Sequence, residues 1–324
     1  MPANLPPQYF EAEKRFRQAK EPADKILVLE EMLAIMPKHK GTDKLRAELR
    51  GRIAKLTQAA AKKTGAHRMS MVIEKEGAAQ IAVIGLPNAG KSQLVASITN
   101  ASPAVAEYPF TTQQATPGMM EFENIKIQLI DTPPLVPQSI EFWMPHLLRR
   151  ADALLVVVDL NDAPLTQMET ITAQLVEMRI SIGIDKAQEQ TILSQQKALI
   201  VGNKLDLENA SENYTALRNR YGEHLPVTAI SARAGTGLEE LKLKTFQALD
   251  IIRVYTKTPG QKPDFSDPII LSRGSTLEDA AASVHKDFLH RLEYARLWGS
   301  GKHDGLVVKR GHILQDGDVI ELHV

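Results

Sequence analysis

Eight consecutive residues carry the strongest chemical signal in the sequence. Residues 85–92, Gly-Leu-Pro-Asn-Ala-Gly-Lys-Ser, have the spacing G-x-x-x-x-G-K-S. The glycines let backbone N–H groups curl around phosphate oxygens, and a helix that starts at the lysine adds a favourable dipole. We therefore expect Lys91 to reach the β- and γ-phosphates of a nucleotide and the Ser92 hydroxyl to bind Mg²⁺. The other loop residues predicted to contact the nucleotide are Pro87, Asn88, Ala89, Gly90 and Gln93.

A carboxylate follows a second apolar run. Asp131 lies in the segment Leu-Ile-Asp-Thr-Pro-Pro at residues 129–134. An aspartate at the carboxyl end of a strand can hold Mg²⁺, usually through a water molecule. Asp131 is therefore, with Lys91, a candidate catalytic residue.

A third segment has the pattern of a guanine reader. Residues 203–206 are Asn-Lys-Leu-Asp and follow another apolar run. The Asp206 carboxylate can accept hydrogen bonds from the guanine N1–H and N2 amino groups, whereas adenine offers no such donor pair on that edge. Asn203 can brace the loop, and the stem of Lys204 can pack against the base.

A fourth segment, Ser-Ala-Arg at residues 231–233, follows a further apolar run. The Ala232 N–H could donate to the guanine O6, and Ser231 and Arg233 complete the predicted nucleotide contacts. Either polar segment alone is a weak signal. Their order after the phosphate loop predicts a guanine rather than an adenine nucleotide.

Short apolar runs precede each of these motifs, and helical stretches lie between most of the runs. This alternation is typical of a parallel sheet with helices on both faces. We predict a doubly wound α/β domain over residues 79–250. Its predicted strands are residues 81–84, 127–130, 154–158, 199–201 and 227–230.

The N-terminal region, residues 1–78, has a helical and basic pattern. Apolar residues recur at helical spacing over 26–36 and 45–60, which predicts a helical hairpin. Between Pro37 and Arg68 there are ten basic residues against two acidic ones. This excess favours contact with RNA phosphates, although pairing with acidic surfaces of the middle domain is an alternative explanation.

The C-terminal region, residues 251–324, predicts a small α+β domain. Residues 251–256 and 269–271 have the pattern of strands, and residues 277–288 that of a helix. Asp316-Gly317 lies between extended segments, which predicts a β-hairpin there.

Composition excludes several classes of protein. The chain has 324 residues with 39 Lys plus Arg and 39 Asp plus Glu, which excludes a uniformly basic nucleic-acid-binding protein. It has no cysteine, so a disulfide framework, a cysteine nucleophile and a thiolate metal site are excluded. No signal peptide is visible, and no apolar run approaches the ~20 residues of a membrane-spanning helix. We expect a cytoplasmic protein without membrane contact.

The set of motifs resembles that of the Obg-related GTPases, most closely the DRG-like (developmentally regulated GTP-binding protein) branch. The resemblance covers most of residues 25–324. Residues 253–265, Tyr294 to Gly299 and the Asp316 ending look like a TGS domain, a small ubiquitin-like (β-grasp) module. The other matching segments are residues 38–42, 85–92, 108–112 (Tyr-Pro-Phe-Thr-Thr), 131–133, 203–206 and 231–232.

The resemblance implies binding of GTP and GDP with Mg²⁺, slow hydrolysis of GTP, and a partner such as the ribosome or another RNA–protein assembly. The basic N-terminal helices and the TGS domain would contact that partner, and no DNA contact is expected. Thr112 would be the switch I threonine that coordinates Mg²⁺, with Thr111 as the adjacent alternative. Asn88 would help to bind a potassium ion that stimulates hydrolysis, unless it makes only a local backbone bond.

Pro134 departs from the family pattern, whereas Leu135 departs only from the pattern of many other GTPases, because Obg-like proteins also have apolar residues at its position. The switch II motif normally reads Asp-x-x-Gly, but its fourth position here is Pro134, which has no N–H to donate to the γ-phosphate. Leu135 stands where many GTPases have a water-orienting glutamine. The stretch from Asp131 to Asn203 also has no room for the extra domain that DRG proteins insert. A slow GTPase switch and a guanine-nucleotide sensor with negligible turnover are therefore both open.

Overall fold

The structure is a computed structural model of the chain. It describes residues 6–18, 22–36, 42–63, 73–99, 115–136, 140–141, 143–183, 194–285, 288, 291–301 and 303–323. In this part of the chain, no helix is both long and apolar enough to cross a membrane.

Three helices precede the central domain: α1 (Pro7–Gln18), α2 (Pro22–Ile35) and α3 (Asp43–Lys63). Helices α2 and α3 correspond to the two helices of the predicted hairpin, whereas α1 was not predicted. The three helices share a small apolar core formed by Tyr9, Ala12, Leu29, Met32, Met36 and Leu49. The helical unit therefore has its own packing, which orients the exposed side chains of α3.

The central domain is built on a six-stranded sheet in the order β2-β3-β1-β4-β7-β8. All neighbouring strands are parallel except β2, which pairs antiparallel with β3 at the edge. A separate two-strand parallel pair is formed by β5 and β6. The strands are β1 (Ala79–Ile84), β2 (Thr116–Phe122), β3 (Ile125–Asp131), β4 (Ala153–Asp159), β5 (Ile180–Ser181), β6 (Ser194–Gln195), β7 (Lys197–Asn203) and β8 (Val227–Ala229).

Helices cover both faces of this sheet, because alternate side chains of the buried strands point to opposite faces. On β1, for example, Ala82 and Ile84 belong to one apolar cluster, and Ile81 and Val83 belong to the other. The first cluster packs against α5 (Met144–Arg150), α6 (Pro164–Glu177) and α7 (Ala210–Tyr221). The second packs against α4 (Lys91–Ile98) and α8 (Leu238–Leu249). The prediction of a doubly wound α/β fold is confirmed.

The C-terminal domain has a five-stranded sheet in the order β10-β9-β13-β11-β12, with α9 packed against it. The parallel pairing of β9 with β13 places the first and last strands at the centre, as in a β-grasp fold. The elements are β9 (Ile251–Thr256), β10 (Asp264–Ser272), α9 (Leu277–Val284), β11 (Tyr294–Trp298), β12 (Leu306–Val308) and β13 (Val319–His323).

The hairpin predicted at Asp316-Gly317 is wrong. The strand after this turn, β13, pairs with β11 and β9 rather than with the residues just before the turn. The Asp316 carboxylate instead accepts hydrogen bonds from the backbone N–H (2.8 Å) and guanidinium (3.0 and 2.8 Å) of Arg253 on β9. The turn is thus held by an ion pair to a neighbouring strand, and this contact leaves no local sequence pattern.

Candidate nucleotide-binding site

The phosphate loop joins β1 to α4, as predicted, and two of its glycines are required by close contacts. A Cβ atom at Gly85 would lie 2.3 Å from the carbonyl oxygen of Val157. Gly90 has φ of 87°, and a Cβ atom there would lie 2.3 Å from the amide nitrogen of Asn203. Gly85 has φ of 158° and Gly90 has φ of 87°, and side chains rarely accompany such φ angles. Together with the short distances, these angles favour glycine at both positions.

Lys91 begins α4, and its side chain is buried inside the loop. The ammonium donates hydrogen bonds to the carbonyl oxygens of Gly85 (3.1 Å) and Leu86 (3.0 Å). Burial lowers the pKa of Lys91, and the nearby Asp131 carboxylate opposes this shift. An ammonium group has three N–H donors, so one is left over from the two loop carbonyls and could bind a phosphate oxygen.

Asp131 lies at the carboxyl end of β3, next to the phosphate loop. Burial raises the pKa of Asp131, and a hydrogen bond from the Ser92 hydroxyl and the charge of Lys91 oppose the shift. The Asp131 Oδ1 atom is buried and has no hydrogen-bond partner among the described residues. A buried carboxylate oxygen without a partner, beside a serine hydroxyl, fits the oxygen ligands that Mg²⁺ prefers. Thr111 and Thr112 lie outside the described residues.

Asn203, at the end of β7, joins two loops of the site. Its amide nitrogen donates to the carbonyl oxygen of Ala89 in the phosphate loop (2.9 Å). Its amide oxygen accepts the backbone N–H of Ala232 (3.0 Å). The bracing predicted for Asn203 is therefore present. The contact between the Ala232 N–H and a guanine O6 stays a prediction, and it would compete with the bond to Asn203.

Asp206 is exposed at the same edge of the sheet. The Ser231 hydroxyl donates to its Oδ1 atom (2.6 Å) and accepts the backbone N–H of Ala234 (3.0 Å). The Ser231 hydrogen bond, with a smaller contribution from the charge of Arg233, lowers the pKa of Asp206. The carboxylate is therefore ionised at neutral pH, as a group that accepts two guanine N–H bonds must be.

Pro134 and Leu135, the two residues after the Asp131 segment that the sequence analysis singled out, do not face the site equally. Pro134 is half-buried, whereas the Leu135 side chain is fully buried in the core between the sheet and α5. The Leu135 N–H donates to the carbonyl oxygen of Gly85 (3.0 Å). Leu135 thus anchors the segment after Asp131 to the phosphate loop through its backbone.

One residue of the site, Asp159, was missed by the sequence analysis. It ends β4, and its carboxylate forms an ion pair with the ammonium of Lys204. The signal that could have found it is the one that identified Asp131 and Asn203, namely a polar residue directly after a buried strand. Of the other loop residues predicted to contact the nucleotide, Pro87, Asn88, Ser92 and Gln93 are exposed on the loop or the first turn of α4, and their contacts stay predictions.

Comparisons with known proteins agree with this geometry. Residues 80–204 match the family described as "50S ribosome-binding GTPase", and residues 252–324 match the TGS domain. An uncharacterized GTP-binding protein of Methanocaldococcus jannaschii is 30% identical, with 92% of each chain covered. The alignment spans 361 positions, more than the 324 residues of the chain, so this relative contains residues that the chain lacks.

Two further relatives match over nearly their whole length. The developmentally-regulated GTP-binding protein 2 homolog of Dictyostelium discoideum is 26% identical, with 92% of this chain and 98% of that protein covered. The ribosome-interacting GTPase 1 of Saccharomyces cerevisiae is 25% identical over the same shares of the two chains. Among solved structures, the YchF GTPase of Schizosaccharomyces pombe has a similar fold, with a TM-score of 0.53 at 12% identity, covering 77% of this chain and 99% of that one. The chain thus belongs to the DRG-like branch of the Obg-related GTPases, a family of GTP-binding proteins, and ends in a TGS domain.

Proposed function

We propose that this GTP-binding protein is a slow GTPase switch that hydrolyses GTP to GDP and phosphate and reports its nucleotide state to the ribosome or a similar RNA–protein assembly. The observation that carries the proposal is the convergence of the phosphate loop, Asp131 and the loop 203–206 at one edge of the sheet. In an open α/β sheet, ligands bind outside the carboxyl ends of the strands. The proposal divides the chain into a helical region (1–78), a GTPase domain (79–250) and a TGS domain (251–324), and it places the protein in the cytoplasm.

Each group at this edge has a proposed task. Lys91 binds the β- and γ-phosphates, and Asp206 reads the guanine edge while Asn203 keeps the loops together. Ser92 and Asp131, the latter through water, would hold Mg²⁺, which neutralises charge on the phosphates. Thr112, or its neighbour Thr111, would complete that site in the GTP-bound state.

Asn88 is the proposed ligand of a potassium ion. Its backbone has φ of 62°, and its side chain is exposed on the rim of the phosphate loop. A cation beside the phosphates stabilises the charge that develops during phosphoryl transfer, the task of an arginine finger in other GTPases. The alternative is that Asn88 only stabilises the left-handed turn, for which asparagine is well suited.

The helical unit contacts the element that follows switch II, which supports a switch function. Glu30 of α2 lies 3.5 Å from the Nδ1 atom of His146 on α5, and Glu31 lies 3.6 Å from the guanidinium of Arg179. Helix α5 begins nine residues after Leu135, the residue that follows the switch II motif. A displacement of switch II would therefore move α5, which the helical unit contacts through Glu30.

The TGS domain contacts the hairpin between the two switch segments. The Asn124 side chain, in the β2–β3 turn, donates to the Tyr255 hydroxyl (2.6 Å) and to the carbonyl oxygen of Phe265 (3.0 Å). Arg253 pairs with Glu123 in the same turn and lies over the Phe246 ring at 4.8 Å. Strand β2 starts just after switch I and β3 ends at Asp131, so this contact can also sense the nucleotide state.

The proposed RNA contact rests on the exposed face of α3. Lys44, Arg50 and Lys55 are exposed, and none forms an ion pair with another described residue. Among the described residues, the ion pairs between the helical unit and the GTPase domain come instead from Glu30 and Glu31 of α2, so pairing of the α3 cations with that domain finds no support there. Lys38 and Lys40 lie outside the described residues. Arg46 is excluded from the proposed surface, because it donates to the Leu33 (3.3 Å) and Met36 (2.8 Å) carbonyl oxygens at the end of α2.

A second candidate function is a guanine-nucleotide sensor with negligible turnover. It is favoured by the engaged N–H and buried side chain of Leu135, which leave no water-orienting group at that position. Single-turnover phosphate release from bound GTP, measured in potassium and in sodium at equal ionic strength, separates the two functions. We expect measurable release that is faster in potassium, with the difference lost in an Asn88→Ala variant. Phosphate release no faster than from free GTP would favour the nucleotide sensor over the GTPase switch. Equal rates in the two salts would exclude the potassium ion from the mechanism.

A further inference from the structure

We propose that Asp159 is a positioning residue for guanine recognition, which acts by holding the side chain of Lys204 in its binding orientation. The proposal rests on the proposed function of residues 203–206 as the base-reading loop. It adds to that loop a carboxylate from the neighbouring strand β4, which lies outside all four sequence motifs.

The contact between the two residues is close and partly buried. The Lys204 Nζ atom lies 2.5 Å from the Asp159 Oδ2 atom, and the side chains are 33% and 13% exposed. The strands β4 and β7 place the pair side by side, because Asp159 is in register with Asn203. The partial burial of Asp159 makes the pair less accessible to screening by salt than an exposed surface pair.

Asp159 is itself held rigidly. The buried side chain of Gln167 accepts the Asp159 N–H (3.0 Å) and donates to the Asp159 carbonyl oxygen (3.2 Å). The Asp159 Oδ1 atom accepts the backbone N–H of Asn161 (2.9 Å), whereas Oδ2 binds Lys204. One carboxylate oxygen therefore shapes the loop after β4, and the other is left for the lysine.

The backbone of Lys204 also points to a fixed orientation. Its φ of 68° is uncommon for a residue with a side chain. Hydrogen bonds on both sides hold this conformation: the Leu160 N–H donates to the Asn203 carbonyl oxygen (3.0 Å), and the Leu205 N–H donates to the Ile230 carbonyl oxygen (2.9 Å). The ion pair then fixes the far end of the side chain, so that both ends of its apolar stem are tied.

A free lysine stem would have to be ordered when the base binds, and ordering one long side chain opposes binding. With the ammonium already tied to Asp159, this ordering is complete before the nucleotide arrives. The benefit does not depend on the guanine N2 amino group, which Asp206 reads. Loss of the ion pair between Asp159 and Lys204 should therefore lower the affinity for all nucleotides with a similar purine ring by the same factor.

The test uses the full chain with GDP and with IDP, which lacks the N2 amino group. Asp159→Asn removes the negative charge but can still accept the Asn161 N–H. We expect this variant to bind GDP and IDP more weakly by the same factor, roughly three- to tenfold. The ratio of the GDP and IDP affinities should stay unchanged. Asp152→Asn is the matched control, because Asp152 pairs with Lys75 at the opposite end of β4. This control should leave both affinities unchanged.

A double-mutant cycle separates positioning from a general structural effect. In a Lys204→Met background, which keeps the apolar stem without its ammonium, Asp159→Asn should have no further effect on GDP affinity. Lys204→Met alone should lower the GDP affinity by the same factor as Asp159→Asn. Should Asp159→Asn fail to fold, the Lys204→Met variant tests whether the ion pair contributes to nucleotide binding. The proposal is overturned by unchanged GDP affinity in either single variant, or by an undiminished effect of Asp159→Asn in the Lys204→Met background. A wild-type protein that does not prefer GDP over IDP would instead contradict the base-reading role proposed for Asp206.

Discussion

A glycine at position 134 should shift the protein toward its GTP-bound state. In the structure, none of the N–H groups from residue 132 to 135 is available for a phosphate oxygen. The Thr132 N–H lies 3.3 Å from the Val83 carbonyl oxygen, and the Leu135 N–H donates to the Gly85 carbonyl oxygen at 3.0 Å. Pro133 and Pro134 have no N–H. A neighbouring donor could replace the missing bond only by breaking an existing one.

The expected magnitude follows from the single bond that Pro134→Gly restores. A hydrogen bond to a charged group contributes about 1.5–3 kcal/mol. Because GDP has no γ-phosphate, this gain should raise the GTP-to-GDP affinity ratio by roughly 10- to 150-fold. Glycine also increases the freedom of the unfolded chain, which lowers the stability of the fold. That cost is common to both nucleotide states and cancels in the ratio.

The assay is equilibrium binding of GDP and of a non-hydrolysable GTP analogue in the presence of Mg²⁺. Pro133→Gly is the matched control, since it changes an adjacent proline and should leave the affinity ratio near the wild-type value. An unchanged ratio in Pro134→Gly would show that another donor already binds the γ-phosphate. An equal rise in the Pro133→Gly control would show that backbone freedom, rather than the N–H at position 134, controls the ratio.

Three further variants test other parts of the site and the surface. Lys91→Ala should weaken binding of the GTP analogue at least about tenfold by removing a charged donor; near-wild-type affinity in a titration would exclude the lysine from phosphate binding. Asp206→Asn should lower the GTP-to-XTP affinity ratio at least about tenfold, because an amide N–H can meet the xanthine carbonyl; a constant ratio would remove Asp206 as the base reader. Changing Lys44, Arg50 and Lys55 together to Glu should flatten the slope of log affinity for ribosomes against log salt by about two to three units without changing GTP affinity. The same slope in this variant would place the RNA contact elsewhere.

Much of the central fold could be predicted because its strands are buried on both faces and therefore form continuous apolar runs. All five predicted strands of the central sheet are present. The edge strand β2 was missed, because its sequence contains Pro117 and Gly118, which normally indicate a turn. An antiparallel edge strand tolerates the proline, because one side of its backbone has no neighbouring strand to bind. Helix α1 was missed because its 12 residues are strongly charged and carry few apolar side chains. Its packing on α2 and α3 stabilises it, and that packing is not visible in the local sequence.

The site was predictable where its chemistry is contiguous in the sequence, as in the phosphate loop and at residues 203–206. Contacts between distant segments left no such pattern. The ion pair of Asp159 with Lys204 joins residues 45 positions apart, and that of Arg253 with Asp316 joins residues 63 apart. Charge counting also treated Arg46 as part of a basic surface, although its guanidinium is used at the end of α2.

Binding to ribosomes in two nucleotide states tests the proposed switch most directly. The full chain, loaded with either GDP or a non-hydrolysable GTP analogue, would be sedimented with ribosomes at a fixed salt concentration. Coupling between two binding sites in switch proteins is typically 1–3 kcal/mol, so we expect the two affinities to differ by about 5- to 150-fold. Equal affinities in the GDP and GTP-analogue states would contradict a nucleotide-dependent switch acting on the ribosome.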